Sequence, residues 1–267
     1  METSQLKIVI RGAGDLASGI AFRLYQSNFK KICMTEISQP LAVRREVSYC
    51  EAIHEREKTI EGVTAISAGS FEMIQENWVG GKIVTVIDPG GEVVRFLRPD
   101  IVIDAIMAKK NVGTRISDAA LVIGIGPGFY AGRDTHVVIE SRRGHYLGRV
   151  IQDGEADRDT GIPGIIEGYG IERLLRSPKS GSVKSQKRIG DPVEAGEMIA
   201  VVDDSRVPAQ ISGMIRGLIR DGTDVRKGVK IGDIDPRGIA EYCYTISDKA
   251  LAIAGGVLEA ILARFNK

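Results

Sequence analysis

The clearest indication of a binding site in the sequence is a group of small residues directly after an apolar segment. The segment KIVIR, residues 7–11, leads into Gly12, Gly14 and Ala17, which fit the pattern G-x-G-x-x-A of a dinucleotide-binding turn. Glycine leaves backbone N–H groups open to an anion, and a helix that begins near this turn directs its positive end to the same place. The predicted phosphate site consists of Gly12, Ala13, Gly14, Asp15 and Leu16.

An acidic residue stands at the spacing that a nucleotide site requires. The apolar segment 31–35 ends at Glu36, which is 24 residues after Gly12. In dinucleotide-binding proteins an acid near this spacing holds a ribose diol. Two interpretations remain open, because the glycines could also serve only to connect a strand tightly to a helix.

Polar residues at the end of a later apolar segment are candidates for the same site, because ligands of open α/β sheets bind beyond the carboxyl ends of the strands. Asp104 interrupts the apolar segment 101–106, and Lys109 lies in the loop that follows. A carboxylate there costs several kcal/mol unless it is paired or hydrogen-bonded. We expect Asp104 to meet a ligand, a lysine or a backbone N–H group. For Lys109 the alternative is an exposed loop lysine.

Three residues are candidates for catalysis: Asp104, His136 and Cys243. His136 and Asp134 alternate on one predicted strand about 7 Å apart, but two ligands from one strand do not make a metal site, and no metal is predicted. Cys243 could transfer sulfur or selenium as a thiolate, and a buried structural cysteine is the alternative. The sequence alone does not identify a catalytic residue.

Composition excludes several classes of protein. The 267 residues contain 36 Lys and Arg against 35 Asp and Glu, so no net field attracts nucleic acid or an anionic membrane. No signal segment and no run of 18 apolar residues is present, which predicts a cytoplasmic protein. The three cysteines are far apart and form no C-x-x-C pair, so neither a disulfide framework nor a cysteine zinc site is expected.

The elements that position these residues predict an α/β protein in four parts. Residues 1–120 are expected to form a Rossmann-like domain, with a helix that begins at Ser38-Gln39-Pro40. Residues 121–176 are expected to connect it to the next domain through a hairpin of residues 135–140 and 145–151 and a short helix at residues 171–175.

The remaining parts contain an internal repeat and a terminal helix. Gly181, Gly190 and Gly196 recur as Gly213, Gly222 and Gly228, a period of 32 residues. This pattern resembles the barrel-sandwich fold of biotinyl and lipoyl domains over residues 177–236. The expected hairpin tip, residues 202–207, has no lysine to carry biotin or lipoate. Residues 237–267 end in a helix that Ser247 is expected to cap.

Long motifs give the chain a family resemblance that covers most of its length. It resembles the YqeB-type accessory proteins encoded with selenium-dependent molybdenum hydroxylases. The matching segments are VIRGAGDLASGIAFRL, MTEISQPLAVRR, DAIMAKKN, IGIGPGFYAGRDTHVVIE, TGIPGIIEGYGIERLLRSP and ISDKALAIAGGVLEAIL. The resemblance implies a role in maturing the molybdenum cofactor of a hydroxylase, in which selenium is installed or guarded. It supplies no catalytic residue that can be carried over.

Two functions therefore remain open. The first is an accessory protein that binds a phosphate-bearing ligand at the Gly12 turn, with a molybdenum hydroxylase as partner and with neither nucleic acid nor membrane. The cofactor would be of molybdopterin type or a dinucleotide. The second function is an NAD-dependent oxidoreductase, which Gly12, Gly14 and Glu36 favour.

Overall fold

The computed structural model describes residues 2–161 and 163–266. Contacts divide the chain into two compact units. The first takes the residues up to Pro40, Ser48–Thr160 and the residues from Ile246 onward, and the second takes Leu41–Val47 and Gly161–Thr245. The chain therefore leaves the first unit twice.

Strands make up most of the regular structure. In chain order they are β1 (Lys7–Arg11), β2 (Lys31–Glu36), β3 (Glu57–Ile60), β4 (Val63–Ser67), β5 (Ile83–Ile87), β6 (Ile101–Asp104), β7 (Leu121–Ile125), β8 (Tyr130–Ala131), β9 (Val137–Ile139), β10 (Val150–Ile151), β11 (Gly154–Glu155), β12 (Leu174–Arg176), β13 (Gly181–Ser185), β14 (Pro192–Val193), β15 (Met198–Val202), β16 (Ser205–Pro208), β17 (Gly213–Leu218), β18 (Asp224–Val225) and β19 (Lys230–Asp235). The α-helices are α1 (Asp15–Gln26), α2 (Ala52–Glu55), α3 (Met73–Val79), α4 (Glu92–Leu97), α5 (Glu241–Tyr244) and α6 (Asp248–Phe265). Short 3-10 helices cover Thr3–Gln5, Arg45–Val47, Tyr49–Glu51, Ile116–Asp118 and Ile171–Arg173.

One mixed sheet of nine strands forms the centre of the first unit. Its order is β10-β9-β7-β6-β1-β2-β5-β4-β3. The strands from β9 to β4 are parallel to their neighbours, whereas β10 and β3 pair antiparallel at the two edges. The central strands β1, β6 and β7 are buried almost throughout and have apolar centres, as is typical of parallel strands buried on both faces. β8 and β11 form a separate pair.

The prediction of a Rossmann-like domain followed by a barrel-sandwich domain and a C-terminal helix is wrong. The fold is α/β, but its main sheet is mixed and continues beyond residue 120 to β10. The terminal helix α6 belongs to the first unit, and the second unit begins with Leu41–Val47. The pairing of the edge strands and the return of the chain to the first unit depend on contacts between residues far apart in the sequence. The patterns that predict single strands and helices carry no information about such contacts.

Helices pack on the two faces of the mixed sheet. Val9 of β1 belongs to an apolar cluster that includes Trp78 of α3 and Leu97 of α4. The alternating residues Ile8 and Ile10 are fully buried on the opposite face. The helix α1 packs closely against α6, since a Cβ atom placed on Gly19 would lie 2.7 Å from the Cβ of Ala250. The predicted cap of α6 is confirmed, because Ser247 Oγ accepts from the Ala250 N–H at 3.2 Å.

The second unit contains two four-stranded sheets whose pairings are antiparallel. Their orders are β12-β19-β17-β14 and β16-β15-β13-β18. The repeat is confirmed, because β13, β14 and β15 begin 32 residues before β17, β18 and β19. Each sheet takes strands from both halves of the repeat. Ile199, Ile215 and Ile231 are fully buried in the core between them.

Two predicted helices are wrong, and the predicted hairpin is confirmed. The helix expected from Ser38 is replaced by 3-10 turns, because Arg44 donates to the carbonyl oxygen of Tyr242 at 2.9 Å and Arg45 to that of Leu218 at 2.8 Å. The helix expected at residues 171–175 is one 3-10 turn followed by β12. The hairpin is present as β9 and β10. Among the described residues no helix has the length and apolar character needed to cross a membrane.

Candidate functional site

Gly12 is fixed tightly at the carboxyl end of β1. Its φ is +99°, which favours glycine, and its N–H donates to the carbonyl oxygen of Thr35 in β2 at 2.9 Å. A Cβ atom on Gly12 would lie 2.9 Å from the carbonyl oxygen of Ala105. The first glycine of the motif is therefore explained by backbone packing between its two neighbouring segments.

Gly14 has no such packing reason. Its φ of −70° and ψ of −176° suit any residue, and a Cβ atom there would meet no heavy atom within 4 Å. Gly14 is the N-cap of α1 but has no side chain with which to cap it. The space in front of the first helical turn is open, which is the arrangement in which backbone N–H groups bind an anion.

The other residues of the predicted site hold or border this turn. Ala13 is buried, and its carbonyl oxygen accepts from Ser18 Oγ at 3.1 Å and from the Cys50 N–H at 2.9 Å. Asp15 and Leu16 are half-buried in the first turn of α1. The predicted segment therefore forms one hydrogen-bonded turn with one open side.

Lys249 of α6 is a cation that the sequence did not indicate. Burial lowers the pKa of its ammonium group, and the nearby Asp15 carboxylate acts in the opposite direction. Among the described residues no carboxylate forms an ion pair with Lys249. A lysine in the first turn of a helix does not by itself indicate a binding site. Lys249 lies near the Gly12 turn only because α6 packs against α1.

Glu36 lies beside the turn, as the spacing predicts. It ends β2, one residue after Thr35, whose carbonyl oxygen binds Gly12. Burial raises the pKa of Glu36 to about 7, while a hydrogen bond from the Ile37 N–H acts against this rise. A carboxyl group in this position is suited to a neutral hydroxyl-bearing ligand better than to a second anion.

The raised pKa of Glu36 predicts a pH-dependent effect of Glu36→Gln. Below the unfolded pKa, near 4.5, both states are protonated and the substitution should be neutral. Between that pH and about 7 the folded wild-type protein retains a proton that the unfolded chain has lost, so wild-type stability falls as pH rises. Urea unfolding should show Glu36→Gln to be about 1–3 kcal/mol more stable than wild type at pH 8 and equal at pH 4. Equal stabilities at both pH values would refute the raised pKa.

Asp104 is held by protein groups. It is 1% exposed, and its Oδ2 accepts from Thr114 Oγ1 at 2.5 Å and lies 3.4 Å from Arg11 Nη1, while Oδ1 accepts from the Ile106 N–H at 3.2 Å. Burial raises the pKa of Asp104, and Thr114 and Arg11 oppose the rise. The expected backbone N–H partner is present, but the cationic partner is Arg11 instead of a lysine.

Lys109 and His136 are both occupied elsewhere. Lys109 pairs with Asp159 on the surface. His136 Nδ1 accepts from the Val122 N–H at 3.0 Å, and burial lowers the pKa of its imidazole. Val122 of β7 pairs with Val102 of β6, which in turn pairs with Val9 of β1. Val9 lies three residues before Gly12. The structure therefore places His136 within the sheet and not at its carboxyl edge.

Cys243 belongs to the second unit, in α5. It is 1% exposed, and its Sγ donates to the carbonyl oxygen of Ile215 at 3.4 Å. Burial raises the pKa of the thiol, and Arg216 and Arg44 oppose this rise. These surroundings are typical of a structural cysteine and disfavour a thiolate.

Comparison with known proteins finds a similar curated sequence. The chain is 46% identical over 255 residues to the uncharacterized protein YqeB of Escherichia coli strain K12, and the alignment covers 96% of this chain and 47% of that protein. The chain is therefore similar to YqeB over nearly its own whole length. The chain spans about half the length of this curated relative. No protein-family model matches the chain.

Solved structures are similar only at a low level. TcdA (CsdL) is 12% identical, with 99% of this chain and 90% of that chain covered at a TM-score of 0.34. An aspartoacylase family protein of Mesorhizobium loti is 12% identical, with 86% and 84% covered at 0.27. The succinylglutamatedesuccinylase/aspartoacylase of Rhodobacter sphaeroides is 14% identical, with 86% and 85% covered at 0.26. TM-scores and identities this low do not support a conclusion about activity.

Proposed function

We propose that this protein is an accessory factor in the maturation of a selenium-dependent molybdenum hydroxylase. In this role it binds a phosphate-bearing cofactor or nucleotide at the Gly12 turn. The resemblance of the long sequence motifs to YqeB-type accessory proteins supports the biological setting. The open space at Gly14 supports the binding step.

The main support for the proposal is the contrast between Gly12 and Gly14. Gly12 is required by its φ of +99° and by the nearby Ala105 carbonyl group. Gly14 has ordinary backbone angles and open space around it, so packing does not explain why a side chain is absent. A ligand that approaches the backbone closely does explain it.

A phosphate group fits the residues around this space. The first turn of α1 supplies backbone N–H groups and the positive end of the helix dipole. The half-buried Lys249 adds a cation on the side of α6. A molybdopterin-type cofactor or a nucleotide would bring such a phosphate, and the chain's own residues would bind and orient it.

A thermal-shift measurement with candidate ligands tests the proposal. At one hundred times its dissociation constant a ligand stabilises the folded state by about 2.7 kcal/mol, which corresponds to several degrees in Tm. We expect a phosphate-bearing pterin of molybdopterin type to raise the Tm by this amount. The proposal fails if neither the pterin nor any nucleotide shifts the Tm.

The second candidate function is an NAD-dependent oxidoreductase. The position of Glu36 beside the turn favours it, since this is where an acid would hold a ribose diol. A shift with NAD and none with the pterin would select this function. The same melting experiment therefore separates the two candidates.

A further inference from the structure

A second cleft opens in the first unit, separate from the Gly12 turn. It has a volume of about 330 Å³ and is lined by Arg11, by the loop around Gly90 and Gly91, by α4 and by residues 113–118. None of residues 12–16 lines it. A cavity of this size lies at the lower end of the range for small-molecule sites.

The floor of the cleft is a buried guanidinium group. Arg11 is 5% exposed, and its Nη1 and Nη2 are directed to Asp104, Thr114 and the carbonyl oxygen of Val112. Among the described residues none accepts from its Nε. A Cβ atom on Gly91 would lie 3.5 Å from Nε, so the glycine leaves this side of Arg11 accessible. Arg11 thus has a fixed orientation, and neither its Nε–H nor its second Nη2–H has an acceptor among the described residues.

Two further arginines stand at the rim. Arg95 comes from α4 and Arg115 from the loop after β6, and both are exposed. Neither guanidinium group forms an ion pair within the described ranges 2–161 and 163–266. The cleft is therefore lined by one oriented cation and two unpaired ones.

The acidic groups of the cleft do not cancel this charge. Three arginines line it against two acids, Glu92 and Asp118. The Asp118 carboxylate accepts the backbone N–H of Arg115 at 2.9 Å and is partly satisfied by it. Asp88 already binds the N–H groups of Glu92 and Val93, at 3.0 and 2.8 Å, so the short helix α4 has no free N–H groups here to offer. Recognition of an anion by α4 therefore rests on the Arg95 side chain and not on the helix backbone.

We propose that this arginine cleft binds the phosphate or pyrophosphate group of a small phosphorylated molecule. Guanidinium groups present several N–H donors in a plane, which matches the oxygen atoms of phosphate and allows two hydrogen bonds from one side chain. Arg11 holds one oxygen at the floor, and Arg95 and Arg115 close over the others from the rim. The site does not depend on the function proposed for the Gly12 turn.

Isothermal titration of the full chain with inorganic pyrophosphate tests this site. The titration uses Gly14→Val protein throughout, so that the open space at the Gly12 turn is filled and only the cleft is measured. Arg95→Ala and Arg115→Ala are then added singly, because both side chains are exposed and their loss leaves the core intact. Arg226→Ala is the matched control, since Arg226 is also exposed and does not line the cleft.

We expect pyrophosphate to bind the Gly14→Val protein and both cleft variants to bind at least about tenfold more weakly, which corresponds to the loss of one hydrogen bond to a charged group. Arg226→Ala should bind as the parent does, and Glu92→Gln, which removes a negative charge from the cleft, should bind more tightly. Absence of binding in the Gly14→Val protein would overturn the proposal, as would a cleft variant that binds as tightly as the parent. Either result would leave the Gly12 proposal standing.

Discussion

Gly256→Ala is expected to destabilise the protein, whereas Gly255→Ala, one position earlier on α6, is expected to stabilise it. A Cβ atom on Gly256 would overlap the carbonyl oxygen of Gly148, while one on Gly255 would meet no heavy atom within 4 Å. Gly148 is itself packed against α6, because a Cβ atom there would lie 2.5 Å from the carbonyl oxygen of Ala252. The two backbones are therefore in direct contact.

Both variants replace glycine by alanine inside α6, so their difference in stability isolates the effect of the close contact. Alanine is more favourable than glycine inside a helix by about 1 kcal/mol, so both variants gain this term. Only Gly256→Ala also suffers the overlap, which we expect to cost about 1–3 kcal/mol beyond that gain. Urea unfolding of both variants measures the difference. If both variants were equally stable, the close contact between α6 and Gly148 would be disproved.

Asp104→Ala is expected to have the largest effect on stability, a loss of about 3–5 kcal/mol. The substitution removes the carboxylate that faces Arg11 and leaves a buried guanidinium group without its counter-charge. It also removes the acceptor of the Thr114 hydroxyl group. Chemical unfolding of Asp104→Ala and of the exposed control Asp153→Ala measures the effect.

This measurement also decides what kind of residue Asp104 is. A structural aspartate must lower the free energy of unfolding when it is removed. A carboxylate reserved for a substrate would leave stability unchanged or raise it, because its burial is costly. A decrease in the free energy of unfolding of less than about 1 kcal/mol would therefore contradict the structural role. Asp104 would then again be a candidate for catalysis.

Local patterns predicted the parts of the fold that local interactions determine. The turn at Gly12 and the cap of α6 at Ser247 depend on residues within a few positions of one another, and both were predicted. The repeat of 32 residues was also visible, because equivalent glycines and valines recur at a constant distance. Such signals need no knowledge of distant contacts.

The parts that could not be predicted depend on distant residues. Arg11 and Asp104 are 93 positions apart, so no spacing rule connects them. The segment 41–47 was predicted as part of a helix, but contacts with Tyr242 and Leu218 hold it in the second unit. The mixed sheet was missed for the same reason, because edge pairing is decided by tertiary contacts and not by strand propensity.

The central claim is that the open side of Gly14 binds a phosphate, and Gly14→Val tests it most directly. A valine fits the backbone angles of Gly14 and meets no protein atom at its Cβ, so the protein should fold, with at most about 1 kcal/mol lost at the helix N-cap. Its side chain would fill the space in front of α1. Gly69→Val, at another open and exposed glycine of the first unit, is the matched control.

The measurement is molybdenum hydroxylase activity in a strain whose native protein is replaced by each variant, with folding verified by thermal unfolding of the purified proteins. We predict that Gly69→Val supports full activity and that folded Gly14→Val lowers activity at least about tenfold, the effect of losing one hydrogen bond to a charged group or more. Full hydroxylase activity with folded Gly14→Val would contradict the claim, and the turn would then only connect β1 to α1.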